Sequence, residues 1–146
     1  MSPHEEGATT PRWEDLTEGA TCAERRLGPL TRTDFVRYQG ASGDMNPIHH
    51  DETFACAAGY EAPLGIGMFH AGVMATWACD WLGPENVRRF KVRWKEPVWP
   101  GDVVTIGGRV ARLLEQDGER RVEVEIVCTK QTGAVAAQAT AVFVSR

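Results

Sequence analysis

Residues 42–55, SGDMNPIHHDETFA, form the densest group of polar and ionisable side chains in the sequence. Pro47 restricts Asn46 to extended conformations, so this stretch is predicted to be a loop in which Asp44 and His49 can converge. A carboxylate beside an imidazole can accept and return a proton near neutral pH. The same residues also fit an ordinary tight turn, with Asp44 and Asn46 bonding to backbone groups and His49 packing on the next helix. The spacing alone leaves both interpretations open.

Two short helices are predicted to hold this loop. In LTRTDFVRYQGA, Thr31 or Thr33 can cap a helix that Gly40 ends. In DETFACAAG, Asp51 is the expected N-cap, and Gly59 follows the end of the helix. The loop would therefore lie between the end of one helix and the start of the next.

The rest of the chain predicts one further helix and a sheet. Residues 68–82 are apolar nearly all round, which is typical of a helix buried in the middle of a fold. A short strand is predicted at residues 20–27, an alternating strand at NVRRFKVRWKEPV, and three more strands separated by the turns EQDGE and QTGA. Strands joined by short turns indicate an antiparallel meander. The sequence thus predicts an α+β fold, in which a sheet of about five strands wraps around one long buried helix.

The composition argues against several classes of function. The 146 residues suffice for one ordinary domain, and a net charge of −4 gives no case for a nucleic-acid partner or an anionic membrane. No run of about eighteen apolar residues could span a membrane. Four cysteines without a C-x-x-C pair, and a polar N-terminus without signal-peptide features, predict reduced thiols in a cytoplasmic protein. His49 and His50 would point opposite ways in an extended chain, so no metal site is expected.

Residues 38–72, YQGASGDMNPIHHDETFACAAGYEAPLGIGMFHAG, resemble the hydratase-2 motif of the MaoC-like family. That family comprises (R)-specific enoyl-CoA hydratases and acyl-thioester dehydratases with the hot-dog fold. Residues 92–110, VRWKEPVWPGDVVTIGGRV, are similar to the family segment that contains a P-x-x-x-G-D turn. The resemblance covers roughly residues 16–145. It implies a single hot-dog domain at residues 16–146, after a flexible N-terminal arm at residues 1–15.

The resemblance also implies a reaction and the residues that perform it. Asp44 and His49 would hold one water that adds to a trans-2-enoyl thioester and gives an (R)-3-hydroxyacyl thioester, or would catalyse the reverse dehydration. The backbone N–H near Gly67, at the start of the long helix, would donate to the thioester oxygen, since a helix N-terminus suits negative charge. Asn46 and Ser42 would support the site. The acyl thioester of CoA or of an acyl-carrier protein would be the substrate, and no cofactor is expected.

The sequence departs from the family pattern at two positions. Ile66 stands where the family usually has a histidine, and Gly72 stands where some relatives have a serine that bonds to the catalytic aspartate. His70 lies one helical turn after Ile66 on roughly the same face, so it could take a polar role at the pocket. Alternatively, His70 is a hydrogen-bonded histidine inside a subunit contact. Ile66 and His70 are therefore candidate pocket residues.

Basic residues alternate along one predicted strand. Arg89, Lys91, Arg93 and Lys95 could contact the phosphates of CoA or of a carrier protein, or could form a simple solvated strand face. Tryptophans 77, 81, 94 and 99 are expected to fill the core or an interface.

Two other functions fit the same fold. A non-catalytic acyl-binding or structural subunit of a heteromeric dehydratase would tolerate the departures at Ile66 and Gly72. A hot-dog acyl-CoA thioesterase would not need the D-x-N-P-x-H run. Because the sheet leaves an edge and a face to cover, a homodimer or a heterodimer with another hot-dog subunit is expected.

Overall fold

The computed structural model describes residues 9–145. It contains three α-helices and five strands, joined by three short 3-10 turns. The helices are α1 (Arg32–Ser42), α2 (Glu52–Ala57) and α3 (Gly67–Leu82), and the strands are β1 (Arg25–Leu27), β2 (Val87–Trp94), β3 (Val104–Gln116), β4 (Glu119–Lys130) and β5 (Val135–Ser145). The 3-10 turns are Trp13–Asp15, Pro47–His49 and Pro84–Asn86.

The five strands form one antiparallel sheet in the order β1-β3-β4-β5-β2. The last three strands of the chain form a meander, because Gly118 and Gly133 adopt the positive φ that their tight turns require. The first strand extends the sheet at one edge, and β2 pairs with β5 at the other. The predicted α+β class and the sheet around a central helix are confirmed.

The core lies between α3 and the sheet. One face of α3 buries Ala71, Met74, Trp77, Ala78 and Leu82. The facing strands alternate as a half-buried sheet should, and in β4 the buried residues are Val122, Val124, Ile126 and Cys128. This packing holds the N-terminus of α3 rigidly against the sheet.

The helix α3 is buried on one side only. Met68, Gly72, Thr76 and Asp80, spaced four residues apart, form an exposed stripe along it. Arg25 of β1 forms an ion pair with Asp80, at 2.7 Å between Nη2 and Oδ2. The interpretation of this helix as the buried centre of the fold therefore holds for the face against the sheet, whereas the stripe is exposed.

The first helix begins at one of the two predicted N-caps but ends later than predicted. Thr31, rather than Thr33, is the N-cap, and it forms a capping box with Asp34. The helix does not end at Gly40. It continues to Ser42 and ends at Gly43, whose φ of 76° is the left-handed conformation that favours glycine. The predicted strand at residues 20–27 is shorter than expected and comprises only Arg25–Leu27.

The N-terminal segment is described from residue 9 onwards. Residues 1–8 of the predicted arm lie outside the described residues, so its flexibility stays a prediction. Trp13–Asp15 form a 3-10 turn, and Leu16 is buried in the core. Within residues 9–145, no helix combines the length and apolar character needed to cross a membrane.

Candidate active site

The residues of the predicted catalytic loop lie between α1 and α2. Gly43 reverses the chain after α1, and Asn46 caps the 3-10 turn Pro47–His49 by accepting from the Ile48 N–H at 3.1 Å. Pro47 occupies the first position of that turn, where its missing N–H is not needed. Asp51 then caps α2, as predicted, by accepting from the Phe54 N–H at 2.9 Å. Consecutive caps thus define the path of the loop.

The structure brings Asp44 and His49 together. Their closest side-chain atoms are Oδ2 of Asp44 and Nε2 of His49, 3.9 Å apart. The His49 side chain is only 12% exposed, whereas that of Asp44 is 44% exposed. The imidazole is thus enclosed by protein, while the carboxylate approaches it from a more open position.

The tautomer of neutral His49 follows from its second nitrogen. Nδ1 lies 2.8 Å from the carbonyl oxygen of Leu64. A carbonyl oxygen only accepts, so Nδ1 carries the hydrogen and donates it. In the neutral imidazole, Nε2 therefore presents its lone pair on the side of Asp44.

The supporting residues bond to the backbone of the loop. Oδ1 of Asp44 accepts from the Asn46 N–H at 3.3 Å, which leaves Oδ2 on the side of His49. Oγ of Ser42 accepts from the Asp44 N–H at 3.3 Å. Ser42 and Asn46 thus lie beside the pair and orient the chain around Asp44.

A pocket of about 300 Å³ opens beside His49. Gly67 and His70 line this pocket with His49, as do Leu64, Gly65 and residues 94–98. Asp44 is not among its lining residues. Ile66 is not a pocket residue either, because its side chain is buried in the hydrophobic core. Of the two candidate pocket residues, only His70 lines this pocket.

Gly67 is the first residue of α3, so its N–H has no acceptor within the helix. The indole of Trp94 donates from Nε1 to the Gly67 carbonyl oxygen at 2.8 Å. A Cβ at position 67 would lie only 2.6 Å from this Nε1. A side chain at this position would therefore collide with the indole of Trp94.

His70 is a buried, neutral imidazole at the edge of the pocket. The residue is 4% exposed, and the residues of the described part provide no partner for its Nε2. Burial lowers the pKa of His70 to about 4, so the ring is uncharged at neutral pH. The alternative, a histidine that is hydrogen-bonded inside a subunit contact, stays a prediction.

Four basic residues of the predicted strand are exposed: Arg89, Lys91, Arg93 and Lys95. Apart from Arg26, every other lysine and arginine within residues 9–145 forms an ion pair with a carboxylate. Lys95 lines the pocket of His49, whereas Lys91 and Arg93 line a separate hollow on the face of the sheet. Uncompensated positive charge is therefore concentrated along β2 and just beyond its end.

Several residues at the site were not identified from the sequence. Gln39 is buried and bonds to the loop, His50 bonds to Gln39, and the Leu64 carbonyl orients His49. Each of these contacts depends on how the loop folds back on α1 or on residues 63–65. A glutamine within a helix carries no sequence signal for such a role. Among the described residues, no group of three or more side chains could hold a metal ion.

Comparisons with known proteins place the chain in a family. The family model of the MaoC like domain matches residues 15–134. The 3-hydroxybutyryl-CoA dehydratase of Methylorubrum extorquens is 29% identical over 119 residues, which are 80% of this chain and 73% of that protein. The (R)-specific enoyl-CoA hydratase of Rhodospirillum rubrum is 27% identical over 119 residues, with 80% of each chain covered. A solved structure, the ChsH1-ChsH2 complex from Mycobacterium tuberculosis, matches with a TM-score of 0.76 at 26% identity and covers 89% of this chain and 98% of that chain.

The sheet wrapped around a central helix is the hot-dog fold. The chain belongs to the MaoC-like dehydratase family, which confirms the family that the motif predicted. Other relatives are much longer. The chain spans 9% of the length of the peroxisomal multifunctional enzyme type 2 of Mus musculus, to which it is 39% identical over 66 residues.

Proposed function

We propose that this protein catalyses the reversible hydration of trans-2-enoyl thioesters to (R)-3-hydroxyacyl thioesters. The observation that carries the proposal is the gap of 3.9 Å between Asp44 Oδ2 and His49 Nε2, with the lone pair of Nε2 facing the carboxylate. A water about 2.8 Å from both atoms fits this gap and can donate one hydrogen bond to each. The names of the relatives from Methylorubrum extorquens and Rhodospirillum rubrum describe the same reaction class.

The reaction needs one water and no other reagent. The water oxygen bonds to C3 of the enoyl group while one of its O–H bonds breaks and the proton passes to the Asp44–His49 pair. The electron pair of the C2=C3 bond moves toward the thioester oxygen, which becomes an enolate. Asp44 and His49 then return the proton to C2 on the same face of the enoyl group. The product therefore contains both hydrogens of the water. Dehydration follows the same steps in reverse.

The enolate needs hydrogen-bond donors that are in place before the reaction. The N–H of Gly67 lies at the N-terminus of α3 and in the wall of the pocket that His49 lines. The helix dipole favours negative charge at this position. We assign the Gly67 N–H as the backbone donor, while Trp94 binds the carbonyl oxygen of the same residue.

The substrate is proposed to be a CoA or acyl-carrier-protein thioester. The phosphates of either carrier are anionic, and Arg89, Lys91 and Arg93 are exposed cations without ion-pair partners among residues 9–145. Lys95 connects this strand to the pocket. A thioester bound in the pocket would therefore extend its carrier along positively charged surface.

A partner subunit and a cytoplasmic location complete the proposal. In the described part, large hydrophobic side chains are exposed on the three helices, on the loop, on the turn after α2 and at the end of β2. They are Val36, Met45, Phe54, Tyr60, Met68 and Trp94. Exposed apolar side chains on the elements around the loop favour a subunit contact there. The cysteines at positions 22, 56, 79 and 128 are all free, which fits a reducing compartment.

A non-catalytic subunit of a heteromeric dehydratase is the second candidate. Its support is the match to the ChsH1-ChsH2 complex and the departures at Ile66 and Gly72. The intact Asp44–His49 pair favours the catalytic function, and a thioesterase would not require that pair.

One assay separates these functions. Crotonyl-CoA and longer enoyl-CoAs are incubated with the purified protein, and the enoyl absorbance and the free thiol are followed together. Hydration removes enoyl absorbance without releasing thiol, a thioesterase releases thiol, and a non-catalytic subunit changes neither. Absence of hydration by the protein, alone and with a hot-dog partner subunit, would contradict the proposed function.

A further inference from the structure

A buried glutamine binds the catalytic loop from the side of α1. Gln39 is 1% exposed, although its side chain ends in a polar amide. Its Nε2 donates to the carbonyl oxygen of Asp44 at 2.8 Å and to that of Asn46 at 3.0 Å. Both of these partners are carbonyl oxygens, which only accept hydrogen bonds. The end of the Gln39 amide that faces them is therefore the NH₂ group. One side chain therefore holds the backbone on both sides of Met45.

The other end of the same amide binds His50. Nδ1 of His50 lies 2.9 Å from Oε1 of Gln39. Since the amide oxygen accepts, Nδ1 of His50 carries the hydrogen. His50 directly follows His49 and ends the 3-10 turn Pro47–His49. The amide of Gln39 thus joins the residue that carries the catalytic carboxylate to the neighbour of the catalytic imidazole.

The backbone of Gln39 adds a fourth contact to this network. Its carbonyl oxygen accepts from the Gly43 N–H at 2.8 Å, which closes the left-handed turn before Asp44. The loop from Gly43 to His50 is therefore held at its start, at its middle and at its end by one residue of α1. His50 itself is exposed, so its bond to Gln39 contributes orientation rather than buried apolar area.

We propose that Gln39 and His50 are positioning residues that set the separation between Asp44 and His49. The inference rests on the proposed hydration reaction, because a held water requires both acceptors at hydrogen-bond distance from one point. Loss of the Gln39–His50 bond lets the turn that carries His49 shift relative to Asp44. A shift of about 1 Å is enough to lower turnover by one to two orders of magnitude.

The test compares four variants in the enoyl-CoA hydration assay. His50→Ala removes the donor to Gln39, His50→Asn keeps an amide N–H that can replace Nδ1–H, and Gln39→Met removes the central amide with little change of volume. Gln116→Met, at the exposed end of β3, is the matched control. We expect kcat to fall about tenfold in His50→Ala and ten- to a hundredfold in Gln39→Met, with KM nearly unchanged. His50→Asn should recover most of the lost kcat, and Gln116→Met should match the wild type.

The double variant Gln39→Met/His50→Ala should be no slower than Gln39→Met, because both changes break the same connection. Wild-type kcat in His50→Ala, an equal loss in His50→Ala and His50→Asn, or a rise of KM at constant kcat would overturn the inference. An inactive wild type would instead contradict the proposed function. If Gln39→Met does not fold, the two variants of the exposed His50 decide the question.

Discussion

The orientation of His49 is determined by a residue outside the loop that carries it. Its Nδ1–H bonds to the Leu64 carbonyl, and the Leu64 N–H donates in turn to the Ile48 carbonyl at 3.3 Å. The segment around Leu64 and the turn that carries His49 therefore hold each other. This contact gives the imidazole one tautomer and leaves Nε2 facing the carboxylate of Asp44, which is the state that a general base requires.

A residue-scale prediction concerns the buried His70. Its pKa is about 4 in the folded protein and near the ordinary 6.5 in the unfolded chain, so the unfolded state binds the extra proton. Neutral His70 makes its full contribution to the free energy of unfolding above pH 6.5, and this contribution is lost as the pH falls toward 4. Between pH 7 and pH 5, the free energy of unfolding should fall by about 2 kcal/mol from this group alone. His70→Leu should show a correspondingly smaller fall.

Urea unfolding of both proteins at pH 7 and pH 5 measures this difference. The other titratable groups are common to the two proteins, so their contributions cancel in the comparison. Equal pH dependence in the wild type and in His70→Leu would show that His70 is not held neutral by burial.

At the scale of elements, the end of α1 decides where Asp44 lies. Gly40 is an ordinary helical position with open space at its Cβ, whereas Gly43 has a φ of 76°. Gly40→Ala should therefore stabilise the protein by about 0.5–1 kcal/mol through helix propensity. Gly43→Ala should destabilise it by at least as much, because alanine is strained at this φ.

Thermal unfolding of the two variants measures whether Gly40→Ala stabilises the protein and Gly43→Ala destabilises it. A loss of stability in Gly40→Ala would place the end of α1 at Gly40, as the sequence had predicted. Gly43→Ala should also lower kcat, since the residue that it strains directly precedes Asp44.

A second prediction at this scale concerns the contact between β2 and α3. Gly67→Ala would place a Cβ 2.6 Å from Nε1 of Trp94, so the indole must move. We expect a loss of about 1–3 kcal/mol in the free energy of unfolding, the usual cost of overpacking. In a Trp94→Ala background, the same Gly67→Ala change should cost much less, because the clashing ring is absent. Equal costs in the two backgrounds would contradict the contact.

The elements themselves were largely predictable from the sequence, while their contacts were not. The turns EQDGE and QTGA contain glycines at positive φ, and β4 alternates strictly, so the meander followed from local signals. The end of α1 was misplaced because a helix tolerates Gly40. The Asp44–His49 pair was found through the motif. Trp94 against Gly67 and Gln39 against His50 were missed, because pairs of this kind form only when the chain has folded.

At the scale of the whole molecule, the arrangement of charge distinguishes one strand from the rest. The net charge is −4, yet Arg89, Lys91 and Arg93 of β2 lack carboxylate partners within residues 9–145, whereas Arg88 of the same strand pairs with Glu119. On β3, by contrast, Arg109 and Arg112 pair with Glu125 and Glu123. An overall acidic protein therefore presents a local positive surface beside its pocket, which is the expected property of a site for an anionic carrier.

This arrangement predicts how the carrier is recognised. The double variant Lys91→Glu/Arg93→Glu should raise KM for an enoyl-CoA by about tenfold and weaken its dependence on salt. The same variant should act normally on an enoyl-pantetheine thioester, which lacks the CoA phosphates. Arg109→Glu/Arg112→Glu is the matched control and should leave both KM values unchanged. Equal KM changes for the two substrates would exclude a phosphate role for β2.

The proposed role of Asp44 and His49 is to hold together the water that adds to the enoyl thioester. Its most direct test is the hydration rate of Asp44→Asn with saturating crotonyl-CoA, since this change keeps the size of the side chain and removes its charge. This role predicts a fall in kcat of about 10²–10⁴, with circular dichroism unchanged, and a similar fall in His49→Ala. Wild-type turnover in a folded Asp44→Asn protein would contradict it.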